Sequence, residues 1–377
     1  MQLSLFSAVE EASFYHDPGK FGFFSLLVAD GHTKRQNSYR LSQMPVVLSL
    51  LDPRRDTWLS QAEFLKPTRR VVNLARIGLL FADLDTYRKP WAQGRSPKQQ
   101  TEVLLYHCDT EGLPRPSLVI FSGRGLQAKW FLDGALPRRA LPRWNACQRH
   151  LIDRLAPLGA DPAAKDASRV LRLVETVNTK SGEVCRVIHV EEGPDGEPIR
   201  YDFEYLAEVL LPLARWEIEA DRKARADRCR LKRLPGKKTG GLRRFNGRQL
   251  AWDRLEDLRT LAELRGGVQE GQRMLHLFWR LNFLLLSGVT HSSQMYHEAV
   301  ALAREIDPRW TYRSAELMTL YAKAKTYSAS PMTNSGTSRP SSAPTSRASG
   351  TPSVRERDGR QQAPRHTAAS RIALRPG

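Results

Sequence analysis

The 377-residue sequence is poor in the features that would place it outside the reducing, aqueous interior of a cell. Its four cysteines, Cys108, Cys147, Cys185 and Cys229, stand far apart, without the paired spacings of a structural zinc or a dithiol redox site. Met1 to Ala8 lacks a basic leader and soon meets Glu10, Glu11 and His16, so no export signal is expected. The most apolar later run, Leu275 to Val289, is broken by Arg280 and Asn282 and is too short for a bilayer. A cytoplasmic protein that avoids membranes is the expectation. His107, His150 and His189 are solitary, so the paired-His motif of a relaxase is missing, and no solenoid-type repeat is found.

Acidic charge is also scarce. Lys and Arg number 59 against 40 Asp and Glu, a formal net charge of +19, which points to a polyanionic partner. The basic residues are spread along the chain but are densest at Arg225, Arg228, Arg230, Lys232, Arg233, Lys237, Lys238, Arg243 and Arg244. Two readings are open there: a solvated linker helix, or a strip that contacts DNA phosphates.

Four regions follow from the pattern. Residues 1–213 mix β-rich runs with amphipathic helix and predict an α/β or α+β catalytic core; 214–248 is a basic linker; 249–327 is a small all-α domain with breaks at Gly266-Gly267, Gly288 and Asp307-Pro308; 328–377 is a Ser-, Thr-, Pro- and Arg-rich basic tail expected to be disordered. Ala75 to Asp85 reads as a buried strand, Ser117 to Phe121 and Leu126 to Leu132 as a hairpin, Pro142 to Leu158 as a helix packed across the sheet, and Val170 to Val174 and Glu183 to Val190 as two further strands.

Three constellations carry chemistry. In Phe81-Ala-Asp-Leu-Asp85, Asp83 and Asp85 at i and i+2 point to one face of a strand and could share Mg²⁺ or Mn²⁺; the alternative is a polar strand end entering a turn. In Ser122-Gly-Arg-Gly-Leu-Gln-Ala-Lys-Trp130, the glycines Gly123 and Gly125 allow close backbone approach to a phosphate that Arg124 and Lys129 could neutralise, with Ser122 and Gln127 beside it; the alternative is a tight hairpin with a solvent-facing polar side. The stretch from Asp161 to Lys180 adds a third carboxylate, Asp166, and the phosphate-compatible Arg169, Arg172, Asn178 and Lys180, or else forms a salt-bridged surface loop.

In that order, paired acids, glycine-rich hairpin, then a further acid with trailing Arg and Asn-x-Lys, the sequence resembles the archaeo-eukaryotic primase superfamily over about Phe23 to Val190. Asp83-Leu-Asp85, Gln127-Ala-Lys-Trp130, Ala160-Asp-Pro-Ala163 and Asp166 to Lys180 look like the RepB-type primases of plasmids and phages. Many superfamily members carry His where this chain has Gln127, whereas RepB-type members resemble it in carrying Gln-Ala. The resemblance implies a primase-type α+β core, with Asp83, Asp85 and Asp166 binding the metals and Ser122, Arg124, Arg169 and Lys180 near the nucleotide. It also implies primer synthesis from NTPs or dNTPs on a single-stranded DNA template, with a replicative helicase or replication initiator as a further partner. The competing readings are a non-catalytic DNA-binding initiator and a metal-dependent nuclease or Toprim-type enzyme; for the last, no strand-borne Glu is expected ahead of Asp83. All candidate metal and phosphate ligands precede Gly182, so the helical region is expected to govern where synthesis starts.

Overall fold

The computed structural model describes residues 6–30, 33–212 and 241–329. The described residues form one compact unit built around a ten-stranded sheet. Its strands are β1 (Phe23–Asp30), β2 (Thr33–Arg40), β3 (Thr57–Ser60), β4 (Glu63–Phe64), β5 (Leu74–Leu84), β6 (Leu118–Phe121), β7 (Leu126–Pro137), β8 (Val170–Arg172), β11 (Arg186–Val190) and β12 (Arg200–Tyr201). The order β11-β6-β7-β5-β4-β1-β3-β8 runs across the sheet, with β2 on β1 and β12 on β7. Two short strands, β9 (Val177–Asn178) and β10 (Glu183–Val184), pair separately. The expected strand from Glu183 to Val190 is therefore divided at Cys185, whose N–H and C=O bond Thr176 and Glu175 instead of a sheet neighbour.

The central strand explains the architecture. β5, Leu-Ala-Arg-Ile-Gly-Leu-Leu-Phe-Ala-Asp-Leu, is buried along nearly its whole length because both of its edges are paired and both of its faces are covered, so it reads as a continuous apolar run. Helix α4 (Leu141–Arg154) crosses it as the periodicity predicts. Trp144 and Gln148 are fully buried; the Trp144 Nε1–H donates to the Leu79 carbonyl at 2.9 Å, and the Gln148 amide bonds the N–H and C=O of Phe81. Those bonds satisfy polar groups that would otherwise be stranded in the core. Helices α1 (Ala8–Ser13), capped reciprocally by Ser7 and Glu10, α2 (Met44–Ser49), α3 (Pro97–Thr110), capped by Ser96 and Gln99, and α5 (Phe203–Leu210), capped by Asp202, complete the sheet layer.

The C-terminal part is helical, as expected: α6 (Gly241–Leu264), α7 (Arg273–Ser287), α8 (Met295–Ile306) and α9 (Ala315–Ala329). All three expected breaks fall between helices, and α7 ends at Gly288 in the left-handed conformation. This segment docks on the sheet layer through named bonds: Asn145 to the Val289 carbonyl, the Val72 N–H to Glu298, and Trp252 Nε1–H to the Arg138 carbonyl. No helix among the described residues is long and apolar enough to cross a membrane.

Candidate active site

The end of β5 and the β6–β7 turn build the site. β5 pairs with β7 so that Asp83 lies opposite Gln127 and Leu84 opposite Leu126. The turn Gly123-Arg124-Gly125 is closed by the Ser122 N–H on the Gly125 carbonyl at 2.9 Å. A Cβ at Gly125 would collide with the Leu84 carbonyl, so only glycine lets the turn press against the strand end that carries the acids. The glycine that the sequence suggested for a phosphate is needed first for this backbone contact.

Asp83 and Asp85 both face a cleft of about 450 Å³, within the ordinary range of ligand sites. The chain then returns beside them: the Asp85 N–H donates to the Gly159 carbonyl at 2.9 Å and the Asp161 N–H to the Asp83 carbonyl at 2.8 Å. Arg169 bridges the acids, 2.6 Å from Asp161 Oδ2 and 3.5 Å from Asp83 Oδ2, while Arg88 lies 3.2 Å from Asp85. Burial pushes the Asp83 carboxyl up to about 6; Arg169 opposes that rise, and the Asp85 and Asp161 charges add to it. A desolvated carboxylate crowded by two others is a place where a cation stabilises.

Asp166 lines the same cleft, but its carboxylate is engaged. Oδ1 accepts from the Ser168 N–H and hydroxyl, each at 2.8 Å, and Oδ2 accepts from the Thr290 hydroxyl at 2.6 Å. Asp161 shares Arg169 with Asp83 but does not line the cleft. Among the described residues no three His, Cys, Asp or Glu side chains close into a ready-made metal cluster. The hard carboxylate oxygens of Asp83 and Asp85, one of them desolvated, nevertheless suit a hard divalent cation.

Ser122, Arg124, Gly125, Gln127, Arg169, Arg172 and Asn178 line the cleft together with the acids. Arg124 stacks 4.2 Å over the Tyr87 ring, 3.4 Å from its hydroxyl, and forms no ion pair among the described residues. Asn178 donates to the Ser122 carbonyl at 2.9 Å and accepts from the Lys180 N–H at 3.1 Å. In the amide orientation that satisfies both of its polar atoms, Gln127 bonds the N–H and C=O of Arg172 at 3.0 and 3.2 Å, joining β7 to β8. Asp56, which nothing in the sequence singled out, pairs with Arg172 and accepts from the Thr179 hydroxyl, which lowers its pKa against the cost of burial.

Three expected ligands lie elsewhere. Lys129 is 1 % exposed and pairs with Glu11 of α1, 3.2 Å from the Tyr15 hydroxyl. It shares its face of β7 with Gln127, but α1 covers that face two residues further on, so Lys129 is an interior ion-pair partner instead of a phosphate ligand. Gly123 packs beneath Asn178, and Lys180 is exposed outside the cleft lining. Arg225, Arg228, Arg230, Lys232, Arg233, Lys237 and Lys238 lie outside the described residues, as do the side chains of Arg243 and Arg244 on α6.

The sequence does not reveal lining residues from distant segments: Trp58, Arg69, Arg70 and Tyr87, and from the helical part His291, Ser293 and Gln294. The cleft lining thus extends past Gly182, and no spacing signal could have joined segments more than 200 residues apart. Against expectation, a strand-borne Glu does precede Asp83: Glu63 on β4, which pairs with Arg76 and does not line the cleft.

No protein-family model matches the chain. It is 32% identical over 216 residues to a replication protein of Clostridium perfringens, a match covering 57% of this chain and 47% of that protein, so it spans about half the length of that curated relative. Among solved structures it is similar to the AEP domain of the cyanophage S-2L primase-polymerase, at 16% identity with a TM-score of 0.39, over 54% of this chain and 97% of that one. It is also similar to primase RepB′, at 14% identity with a TM-score of 0.35, over 84% and 94% of the two chains. The catalytic domain of RepB′ in complex with initiator DNA gives 14% identity and a TM-score of 0.33, over 59% and 98%.

Proposed function

We propose that this chain is a replication primase of the archaeo-eukaryotic, RepB-like type, which joins nucleotides on a single-stranded DNA template by metal-dependent nucleotidyl transfer in the cytoplasm. The observation that carries the reading is the Asp83 and Asp85 pair at the end of β5, facing one cleft with Arg124 and Arg169. The kinship with a replication protein supports it.

Asp83 and Asp85, with Asp166 lining the same cleft, would hold Mg²⁺ or Mn²⁺, which when bound neutralises the triphosphate and stabilises charge on the attacking and leaving oxygens. Arg124, held over Tyr87 and free of carboxylates among the described residues, is placed to take a triphosphate oxygen of an NTP or dNTP. Ser122 and Asn178 hold the shape of that wall through their mutual bond. Arg169 balances the acids from the side and fixes Asp83 against the returning chain. Ser168 and Thr290 orient the Asp166 carboxylate through their hydroxyls. The sheet layer supplies the chemistry in this reading; the basic segment 214–248 and the tail add sequence-independent DNA affinity, and a helicase or initiator recruits the whole.

The test is incorporation of labelled nucleotide on single-stranded DNA with Mg²⁺ or Mn²⁺, comparing the wild type with Asp83→Ala. Template-dependent extension products from the wild type alone are expected. Binding of DNA without product would favour the non-catalytic initiator, and shortening of the template would favour a nuclease.

A further inference from the structure

The cleft carries more cationic charge than a nucleotide site at the acids accounts for. Arg169 is committed to Asp83 and Asp161, and Arg172 to Asp56. Arg124 lies on the β6–β7 turn beside the acids. Lys34, Arg69 and Arg70 remain, lining the part of the cleft formed by β1 to β3, the segment before β5 and the turn after α7. None of the three forms an ion pair among the described residues. Arg69 is anchored by neutral acceptors only, the Gln36 amide oxygen at 2.9 Å and the Ser168 carbonyl, and Arg70 reaches Gln294 at 3.4 Å. Lys34 lies 4.1 Å over the ring of Trp58.

We propose that Lys34, Arg69 and Arg70, with Trp58, form a second anion subsite that takes backbone phosphates of single-stranded DNA, separate from the triphosphate end at Arg124. This rests on the primase reading for the identity of the strand, though not for its binding. Cations outside ion pairs remain open to a phosphate, and burial of Arg69 beside Arg70 and Arg169 is only partly offset by the more distant Asp166 and Glu298 carboxylates. Trp58, with Lys34 at 4.1 Å and Arg172 at 4.7 Å over its ring, holds those cations in the cleft wall, and cations spaced along a cleft are what the phosphates of a flexible single strand can follow. The walls come from the sheet layer and from the turn at His291, Ser293 and Gln294, so the strand would be gripped between the two parts of the compact unit. A plainer role for Lys34 is protection of the β2 edge against strand pairing. Such a role predicts no effect on DNA binding.

The experiment uses the full chain and two probes, a fluorescent oligothymidylate and a labelled deoxynucleoside triphosphate, titrated at several salt concentrations. The comparison is among wild type, a Lys34→Ala/Arg70→Ala double variant and Arg124→Ala. Neither Lys34 nor Arg70 supports the core, so the fold should survive, and circular dichroism checks it. The double variant is expected to lose on the order of tenfold or more in oligothymidylate affinity. Its log–log salt slope should flatten by roughly 1.4, two phosphate contacts at about 0.7 each on a single strand. Its triphosphate affinity should stay within about twofold, and Arg124→Ala should show the reverse pattern. Unchanged oligothymidylate affinity and slope in the double variant would overturn the subsite, as would an equal loss of triphosphate binding. If the wild type makes no primer while the double variant still loses DNA, the primase reading fails and the subsite stands. If the wild type primes and the double variant binds DNA normally, the subsite alone fails.

Discussion

Two charged regions of this molecule differ in what they do with their arginines. At the seam between the helical part and the sheet layer, Arg138, Arg259 and Arg280 share Glu256 and Glu305, with contacts of 2.6 to 3.4 Å, and Arg138 and Arg259 also bond the Val72 carbonyl. In the cleft, Lys34, Arg69, Arg70 and Arg124 form no ion pair among the described residues. The seam spends charge on holding two layers together; burial there pulls Arg138 and Arg280 down to about 10. The cleft leaves charge available to a ligand. A net charge of +19 therefore does not measure binding capacity, because part of it is neutralised in the interior.

The sharpest way to break this comparison is at the acids. Asp83→Ala should reduce nucleotide incorporation by on the order of a thousandfold or more, since transition-state charge stabilisation of several kcal/mol is lost. The thermal transition should stay near that of the wild type. Single-turnover extension would read this, and substantial residual synthesis would remove Asp83 from the chemistry.

At the seam the expected damage is to stability instead. Glu305→Ala leaves Arg259 and Arg280 buried without a shared carboxylate and should cost about 3–5 kcal/mol, read by urea unfolding. A loss confined to catalysis would mean that the seam is part of the site.

The third contrast is in pH. The Asp83 carboxyl is raised from 3.8 to about 6 in the folded chain, so it keeps its proton longer than the unfolded chain does. Its ionisation therefore removes stability as pH rises from about 4 to about 6. Asp83→Asn should be more stable than the wild type at pH 7 in chelator, by on the order of 1–2 kcal/mol, with the difference shrinking toward pH 4. Equal stability across that range would show that the carboxylate is solvated. In the wild type, divalent-ion binding should strengthen through the same window as the proton leaves.

The smallest effect belongs to charges in neither region. Lys20 and Asp17 form a half-exposed pair at 3.4 Å, and Lys20→Ala should change stability by less than about 0.5 kcal/mol and leave DNA binding unaltered. A larger change would undercut the idea that location decides what a charge contributes.

Much of the frame was legible because local physics and tertiary context agree there. The run from Ala75 to Asp85 reads as a buried strand and is one over Leu74–Leu84, Trp144, Cys147 and Leu151 fall on one face of a helix, and Gly266-Gly267, Gly288 and Asp307-Pro308 lie between helices. The pairing of Asp83 with Asp85 on one face follows from the two-residue period of a strand.

Other features depended on elements that meet only in space. Alternation correctly put Gln127 and Lys129 on one face, yet no period states that α1 ends that face's access to solvent, and a lysine at 1 % exposure is the result. Asp161 and Asp166 are indistinguishable by composition. The chain's return beside β5 brings Asp161 to Arg169 and Asp83, while Thr290, 124 residues downstream, occupies Asp166. The sequence by itself determined the central strand, the hairpin beside it, the crossing helix, the helix breaks, the paired acids and the glycine turn, because these depend on period, side-chain size and backbone freedom within a few residues. Which cations are neutralised, which acids face the cleft and which distant segments line it were decided by tertiary structure alone, because electrostatic partnership depends on distance in space and on burial.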